Sequence, residues 1–289
     1  MRQILNLAYP DRSWIKFQIS QFPDGQQSIT ITDPASIVGT KVMIESRMNS
    51  FQDVELIICA TQALRTFAKQ MDIELFVPYF LGARSDRKFT DGGINYLKTV
   101  ICPIINSQNF SKVTVVDPHS DVLEACLNNF HKLDNHELVY NAIGDITKKN
   151  IKSGGDEIIL VSPDAGAYKK IFDIGKRFRI DNIITATKVR DIWTGKIVHT
   201  DVPLASPSYY NGMKFVIVDD ICDGGRTFVE LARSIREKIS DAEIYLVVTH
   251  GIFSAGFEML GNDIRRIYTT NSISDVNNDN VNSLNIFSL

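Results

Sequence analysis

The stretch Lys214-Phe-Val-Ile-Val-Asp-Asp-Ile-Cys-Asp-Gly-Gly-Arg-Thr227 constrains this chain more than any other, because it joins an apolar strand directly to a glycine loop and a helix. Residues 215–218 are apolar and largely β-branched, the pattern of a parallel strand covered on both faces. Phe228, Leu231, Ala232, Ile235 and Ile239 then recur at helical spacing, and Thr227 with Glu230 has the pattern of a capping box. Between strand and helix stand Asp219, Asp220 and Asp223, followed by Gly224 and Gly225. Adjacent glycines let successive N–H groups and the helix N-terminus turn toward one anion. Three acids beside such a nest would repel a bare phosphate, but they suit a ligand that also carries hydroxyls or bound Mg2+. The ligand this predicts is a sugar phosphate.

Elsewhere, short apolar runs alternate with helical patterns, which predicts mainly parallel α/β sheets flanked by helices. Residues 14–19 and 28–32 alternate around a turn at Phe22-Pro-Asp-Gly25 and read as a hairpin. A strand at 41–45 precedes Ser50, which is placed to cap a helix bearing Val54, Ile57, Ile58, Thr61, Leu64 and Phe67 on one face. Strands follow at 74–78 and 112–116, with a helix through Tyr96 and Val100 disturbed near Pro103 and another over 122–130. The order then repeats: a strand at 157–161 after Gly154-Gly155, a helix after Ser162-Pro-Asp-Ala-Gly166, and strands at 183–189 and 243–249. We expect two domains, 1–145 and 146–289, and read the Asn-rich segment 277–285 as a surface ending.

The chain of 289 residues is 44% hydrophobic and 22% charged, enough apolar surface for two cores. Its net charge of -3, with Lys and Arg dispersed, gives no reason to expect nucleic acid or an anionic membrane as partner. The N-terminal segment is interrupted too early for a signal peptide, and no apolar run approaches a membrane span. Cys59, Cys102, Cys126 and Cys222 form no CxxC pair, which fits reduced thiols in a cytoplasmic protein.

In open parallel sheets ligands gather beyond the carboxyl ends of strands, and each predicted end here carries polar residues. These are Arg84-Ser-Asp-Arg-Lys88, Asp117 and His119, Asp164, Lys188 and Arg190, the acids at 219–223, and Thr249-His-Gly251. Asp117 and His119, two apart on an extended chain, suit either two ligands of one cation or a local hydrogen bond. Asp164 at a helix start is equally explained as a cap. Lys188 and Arg190 flank a hairpin-like Trp193-Thr-Gly-Lys196, which reads either as a solvated basic hairpin or as a flap closing two cations on transferring phosphates.

Six segments occur in order: 78–88, 116–119, 161–166, 188–190, 218–227 and 249–254. Together they resemble the ribose-phosphate pyrophosphokinases, from about Phe22 to Ile273. The resemblance implies two type I phosphoribosyltransferase-like domains and transfer of the β,γ-diphosphate of Mg-ATP to the anomeric hydroxyl of ribose 5-phosphate. It implies that Arg84, Ser85 and Asp86 lie near ATP. Phe22, Asp24 and Gln26 match a segment that reaches a neighbouring subunit's adenine, which implies at least a homodimer. Asp117 and His119 would hold the ATP-bound Mg2+, with Asp164 near the substrate or a second metal. Lys188 and Arg190 match catalytic cations of the flap. Asp219, Asp220, Asp223, Gly224, Gly225, Arg226 and Thr227 would take the ribose phosphate.

The loop departs from the family's usual Asp-Thr-Gly-Gly-Thr, reading Asp223-Gly-Gly-Arg-Thr227 instead. A hydroxyl is lost at Gly224 and a cationic fork gained at Arg226. The arginine either compensates for the hydroxyl or meets a second phosphate on a 5-substituted acceptor such as ADP-ribose. A phosphoribosyltransferase would share the loop without needing the Asp117/His119 pair or the flap. A non-catalytic regulatory homologue would have no use for the flap cations.

Overall fold

The computed structural model of the chain describes residues 3–148, 157–190 and 197–288. The chain divides into two compact units, residues 1–134 with 287–289, and residues 135–286.

The first unit is built on a five-stranded, wholly parallel sheet in the order β1-β4-β5-β6-β7, formed by Gln3–Asn6, Lys41–Glu45, Asp72–Phe76, Lys112–Val116 and Phe130–Leu133. A separate antiparallel hairpin of β2 (Phe17–Gln21) and β3 (Gln27–Ile31) packs beside α1 (Phe51–Arg65). Ser50 caps α1 as expected: its hydroxyl accepts from the Asp53 N–H, and Asp53 returns the bond to the Ser50 N–H at 2.8 Å. Val54, Ile57, Thr61 and Leu64 are buried along one face, whereas Phe67 lies beyond the helix end and stays half exposed. Near Pro103 the helical pattern resolves into a π-type turn, Leu97–Ile101, running into α2 (Cys102–Ser107), where the proline occupies a first-turn position that needs no N–H.

Two expectations here need correction. The helix expected over 122–130 stops at Cys126 as α3 (Val122–Cys126). Asn129 then takes a left-handed φ of 53° while its side chain donates to the Phe110 carbonyl at 2.8 Å, and Phe130 opens the edge strand β7. The hairpin strands also sit a few residues later on one side and one residue earlier on the other, because Phe22 N–H bonds to the Gln26 carbonyl and closes the turn there.

The second unit carries a six-stranded parallel sheet in the order β15-β14-β13-β12-β8-β9. Its strands are β8 (Ile158–Ser162), β9 (Ile183–Thr185), β12 (Lys214–Cys222), β13 (Glu243–Gly251), β14 (Arg266–Thr270) and β15 (Val281–Leu284). Helices α4 (His136–Thr147), α5 (Tyr168–Phe178), α6 (Arg226–Lys238) and the short α7 (Glu258–Gly261) flank it. Residues 183–189 do not form one strand. The chain leaves the sheet at Ala186, and β10 (Thr187–Arg190) pairs antiparallel with β11 (Ile197–Asp201) as a hairpin of its own.

The division falls at 134/135, ahead of the 145/146 expected, because α4 presents Leu138, Val139, Ala142, Ile143 and Ile146 to the core of the second sheet. Asp145 adds a polar tie, accepting from Tyr268 Oη at 2.7 Å and Asn282 Nδ2 at 3.2 Å. The Asn-rich segment is not a simple surface ending: within it Val281–Leu284 extends the sheet as β15. Phe287, which belongs with the first unit, then packs edge-on to Tyr9 and Phe76 at 5.6 and 5.8 Å. None of the described helices is long and apolar enough to cross a membrane. Ser50→Ala removes the reciprocal cap of α1 and is expected to lower stability by about 1 kcal/mol, read as a reduced midpoint in urea unfolding with unchanged slope.

Candidate active site

The strand order of the second sheet reverses beside β8. From β8 the chain goes outward to β9, returns to β12 on the other flank, and then proceeds outward through β13, β14 and β15. Such a reversal opens a crevice at the carboxyl ends of the two strands that flank it. Here those ends are Ser162-Pro-Asp164 on β8 and Asp219–Thr227 on β12.

The strand expected over 215–218 continues to Cys222, so Asp219 and Asp220 belong to the sheet, not to a loop. Parallel pairing to β13 carries on past the acids, with Asp219 opposite Val248 and Cys222 opposite Gly251. Asp220 is buried, its N–H donates to Asp219 Oδ1 at 2.9 Å, and its own carboxylate lies 3.7 Å from Lys170 Nζ on α5. Burial, followed by the charge of Asp220, pushes the Asp219 carboxyl well above the usual carboxylate range, and Lys170 only partly offsets this. Two adjacent carboxyls in one desolvated corner offer acceptors for hydroxyl donors, with the Lys170 ammonium as a donor beside them. Burial and then the charges of Asp219 and Asp223 push the neighbouring Cys222 thiol up to about 12, so this cysteine is packing and not a nucleophile.

Beyond the strand, Asp223 accepts from Ser254 Oγ at 2.6 Å, which ties the loop to the segment after β13. Gly225 adopts φ 80° as the N-cap of α6, and a Cβ there would come within 2.9 Å of the Leu260 side chain. No side chain caps α6, and the Phe228 N–H turns back to the Gly225 carbonyl at 3.0 Å, so the Arg226 and Thr227 amides are the ones placed to meet an anion. The capping box expected from Thr227 and Glu230 is not formed. Glu230 is taken instead by Arg226, whose Nε lies 2.7 Å from its Oε1, an i,i+4 pair favoured by the helix geometry. Gly224 differs from Gly225: a Cβ would find only Ser254 Oγ at 3.8 Å and Ala255 Cβ at 3.9 Å. Beside the loop, Thr270 Oγ1 and Ser272 Oγ donate to the Thr249 carbonyl, and Ser272 Oγ lies 2.9 Å from His250 Nδ1, all of them buried.

Asp164 serves a local purpose. Its Oδ1 accepts from the amides of Gly166 at 3.0 Å and Ala167 at 3.3 Å, fixing the turn into α5, the helix that delivers Lys170. Lys188 and Arg190 stand on β10 opposite Thr200 and Ile197 of the hairpin partner. The turn Trp193-Thr-Gly-Lys196, the side chains of these two cations, and Gly154-Gly155 lie outside the described residues.

In the first unit the carboxyl ends of adjacent strands β5 and β6 carry the remaining candidates. Asp117 ends β6 in a left-handed conformation, φ 43°, with its side chain buried and its N–H bonded to the Leu133 carbonyl at 2.8 Å; His119 is exposed two residues on. A non-glycine residue held at positive φ at a strand end is a pointer to function. Arg84 is exposed in the loop after β5. That loop is held by Ser85 N–H to the Gly82 carbonyl at 2.8 Å and by Asn95 Nδ2 to the Asp86 carbonyl at 2.5 Å. Phe22, Asp24 and Gln26 form the tip of the β2–β3 hairpin, where Asp24 Oδ1 accepts from the Gln26 N–H and Phe22 is half exposed.

The structure thus brings together Asp219, Asp220 and the 223–227 loop in one unit, and in the other it places the Arg84 loop and Asp117 with His119 after the adjacent strands β5 and β6. Lys170 and Ser254 were not foreseen. No sequence pattern couples a helix lysine to an acid fifty residues on, whereas Ser254 stood inside a segment singled out for other reasons.

A phosphoribosyl transferase domain model matches residues 130–254. A ribose-phosphate pyrophosphokinase of Sulfolobus acidocaldarius is 25% identical over 263 residues, covering 90% of this chain and 85% of its own. The enzyme of the same name from Sulfurisphaera tokodaii is 26% identical over 266 residues, with the same coverage. A phosphoribosylpyrophosphate synthetase from Mycobacterium smegmatis superposes with a TM-score of 0.80 at 16% identity over 98% of this chain and 94% of that one, a likeness of fold.

Two expected outcomes follow from this geometry. Gly225→Ala meets both positive φ and Leu260 and should cost about 1–2 kcal/mol or more, while Gly224→Ala leaves the melting midpoint nearly unchanged. Asp219, with its folded pKa raised, favours folding below the ordinary carboxylate range, and that contribution is lost as pH rises through the folded value. Asp219→Asn should therefore flatten the fall in stability over that window, as followed by denaturant titration at stepped pH. With ordered motifs and near-complete coverage by relatives of one name, the chain is similar to the ribose-phosphate pyrophosphokinases.

Proposed function

We propose that this protein transfers the β,γ-diphosphate of ATP to the anomeric 1-hydroxyl of ribose 5-phosphate, giving phosphoribosyl diphosphate and AMP. The observation that carries the reading is the acid pair and glycine loop at the reversal of the second sheet. There the amides of α6 suit the 5-phosphate, and Asp219, Asp220 and Asp223 suit the sugar hydroxyls. Relatives named for this reaction cover 90% of the chain, which supports the assignment.

O1 attacks the β-phosphorus as the bond from that phosphorus to the oxygen bridging the α-phosphate breaks, and AMP leaves with the bridging oxygen. The protein's work is alignment and neutralisation of charge. Arg84, Ser85 and Asp86 bind the nucleotide. Asp117 and His119 would hold Mg2+, which takes few protein ligands alongside phosphate oxygens and supplies charge neutralisation on the diphosphate. Asp164 keeps the α5 turn in place near the acceptor, through the amide bonds described above. Lys188 and Arg190, on the β10–β11 hairpin, neutralise charge that grows on the transferring group. The exposed Phe22 at a hairpin tip favours contact with a second copy, hence at least a dimer. Free thiols at all four cysteines favour the cytoplasm as its compartment.

A second reading keeps the chemistry and changes the acceptor. The open space at Gly224 and the mostly exposed Arg226 guanidinium favour a ribose whose 5-phosphate bears a further group, such as ADP-ribose. Mass analysis of products and AMP release with each acceptor tests both readings, and a preparation that binds ATP yet releases no AMP with either would overturn them. Lys188→Ala is expected to lose at least about a hundredfold in kcat with little change in nucleotide affinity, and near-normal turnover would remove the flap from the mechanism.

A further inference from the structure

Beside the acceptor loop lies a cavity of about 630 Å3 that none of the residues assigned so far enters. Its wall begins at Ala255, the same residue whose Cβ stands 3.9 Å from the place a Gly224 side chain would occupy. It is within the size range of small-molecule sites. No lysine, arginine or histidine lines it, which makes it a poor receptor for a phosphate. Three carboxamides line it instead, those of Asn262, Asn278 and Asn280, with the carboxylate of Glu258. Asn278 is oriented by the Asn280 N–H, which donates to its Oδ1 at 2.9 Å. Phe257, Ile264 and Ile267 supply an apolar wall, and the Phe257 ring is itself held against Phe253 at 4.7 Å between centroids.

This combination is specific about ligand chemistry. Carboxamides present paired donors and acceptors that match the edge of a purine, a carboxylate accepts from ribose hydroxyls, and an apolar wall receives the face of a ring. A neutral, hydrogen-bonding, flat group fits all of these features together, whereas an anion or an aliphatic chain fits one at most. We propose that this cavity is a specificity subsite for the nucleoside end of a 5-extended acceptor, an inference that rests on the second reading above. Gly224 then has a reason to lack a side chain, since a group there would project toward Ala255, which lines the cavity. Binding of the nucleoside adds affinity remote from O1, so the chemistry at the anomeric carbon is unchanged and selectivity between acceptors is what the subsite sets.

The test is the double variant Asn262→Leu with Asn280→Leu; both positions are exposed, and the single changes to serine serve should the double variant fail to fold. Calorimetric titration with ADP-ribose and with ribose 5-phosphate is run alongside AMP-release kinetics. The expected result is an ADP-ribose Kd and KM raised about tenfold or more, with both constants for ribose 5-phosphate within about twofold of the parent. Equal changes for both acceptors, or none for either, overturn the subsite while leaving the second reading intact. ADP-ribose that neither binds nor turns over with the parent protein overturns the second reading and the subsite together, and leaves ribose 5-phosphate as the acceptor.

Discussion

Parallel hydrogen bonding holds β12 to β8 on one flank and to β13 on the other, and what the second unit offers a ligand hangs from that arrangement. Phe215, Val216, Ile217 and Val218 are fully buried, so the strand can neither slip nor tilt without exposing its apolar residues. Because the pairing continues past Val218, Asp219 and Asp220 are delivered by a rigid element. Their desolvation is a consequence of that rigidity. Without the sheet the two carboxyls would hydrate and separate; inside it they stay together, and the energetic conflict is moderated by Lys170 and by the bond from the Asp220 amide. A hydroxyl donor entering there would find hydrogen-bond acceptors already in place.

Charged residues around the loop divide into those occupied by the fold and those presented outward. Asp164 is occupied, its Oδ1 holding two amides at the start of α5. Asp223 is shared, positioned by Ser254 and so linked to the segment after β13. Arg226 is tethered to Glu230 yet keeps most of its guanidinium in solvent, where a bond worth a few tenths of a kcal/mol is easily exchanged for one to a phosphate. The two glycines also part company. Gly225 is demanded by backbone conformation and by Leu260, while Gly224 is a vacancy with nothing nearby to forbid a side chain. A glycine required by the fold and one that the fold does not require thus stand side by side.

The sequence by itself determined the elements whose information is local. Strand 41–45, strand 112–116 and the Ser50 cap needed only alternation, β-branching and a capping residue, and they stand where they were expected. The clustering of polar residues at strand ends was legible too, since it depends on order along the chain. What only the tertiary structure decided has long-range causes. Glu230 chose Arg226 over Thr227, Asn129 turned the chain at Phe110 and converted a helical pattern into β7, and α4 went to the second unit because its apolar stripe fits that sheet. The acids became part of β12 because β13 continued beside them, and β15 formed in a polar segment because β14 offered it an edge. Local pattern fixes which residues are capable of an interaction; which partner they take is set by neighbours that the linear order does not reveal.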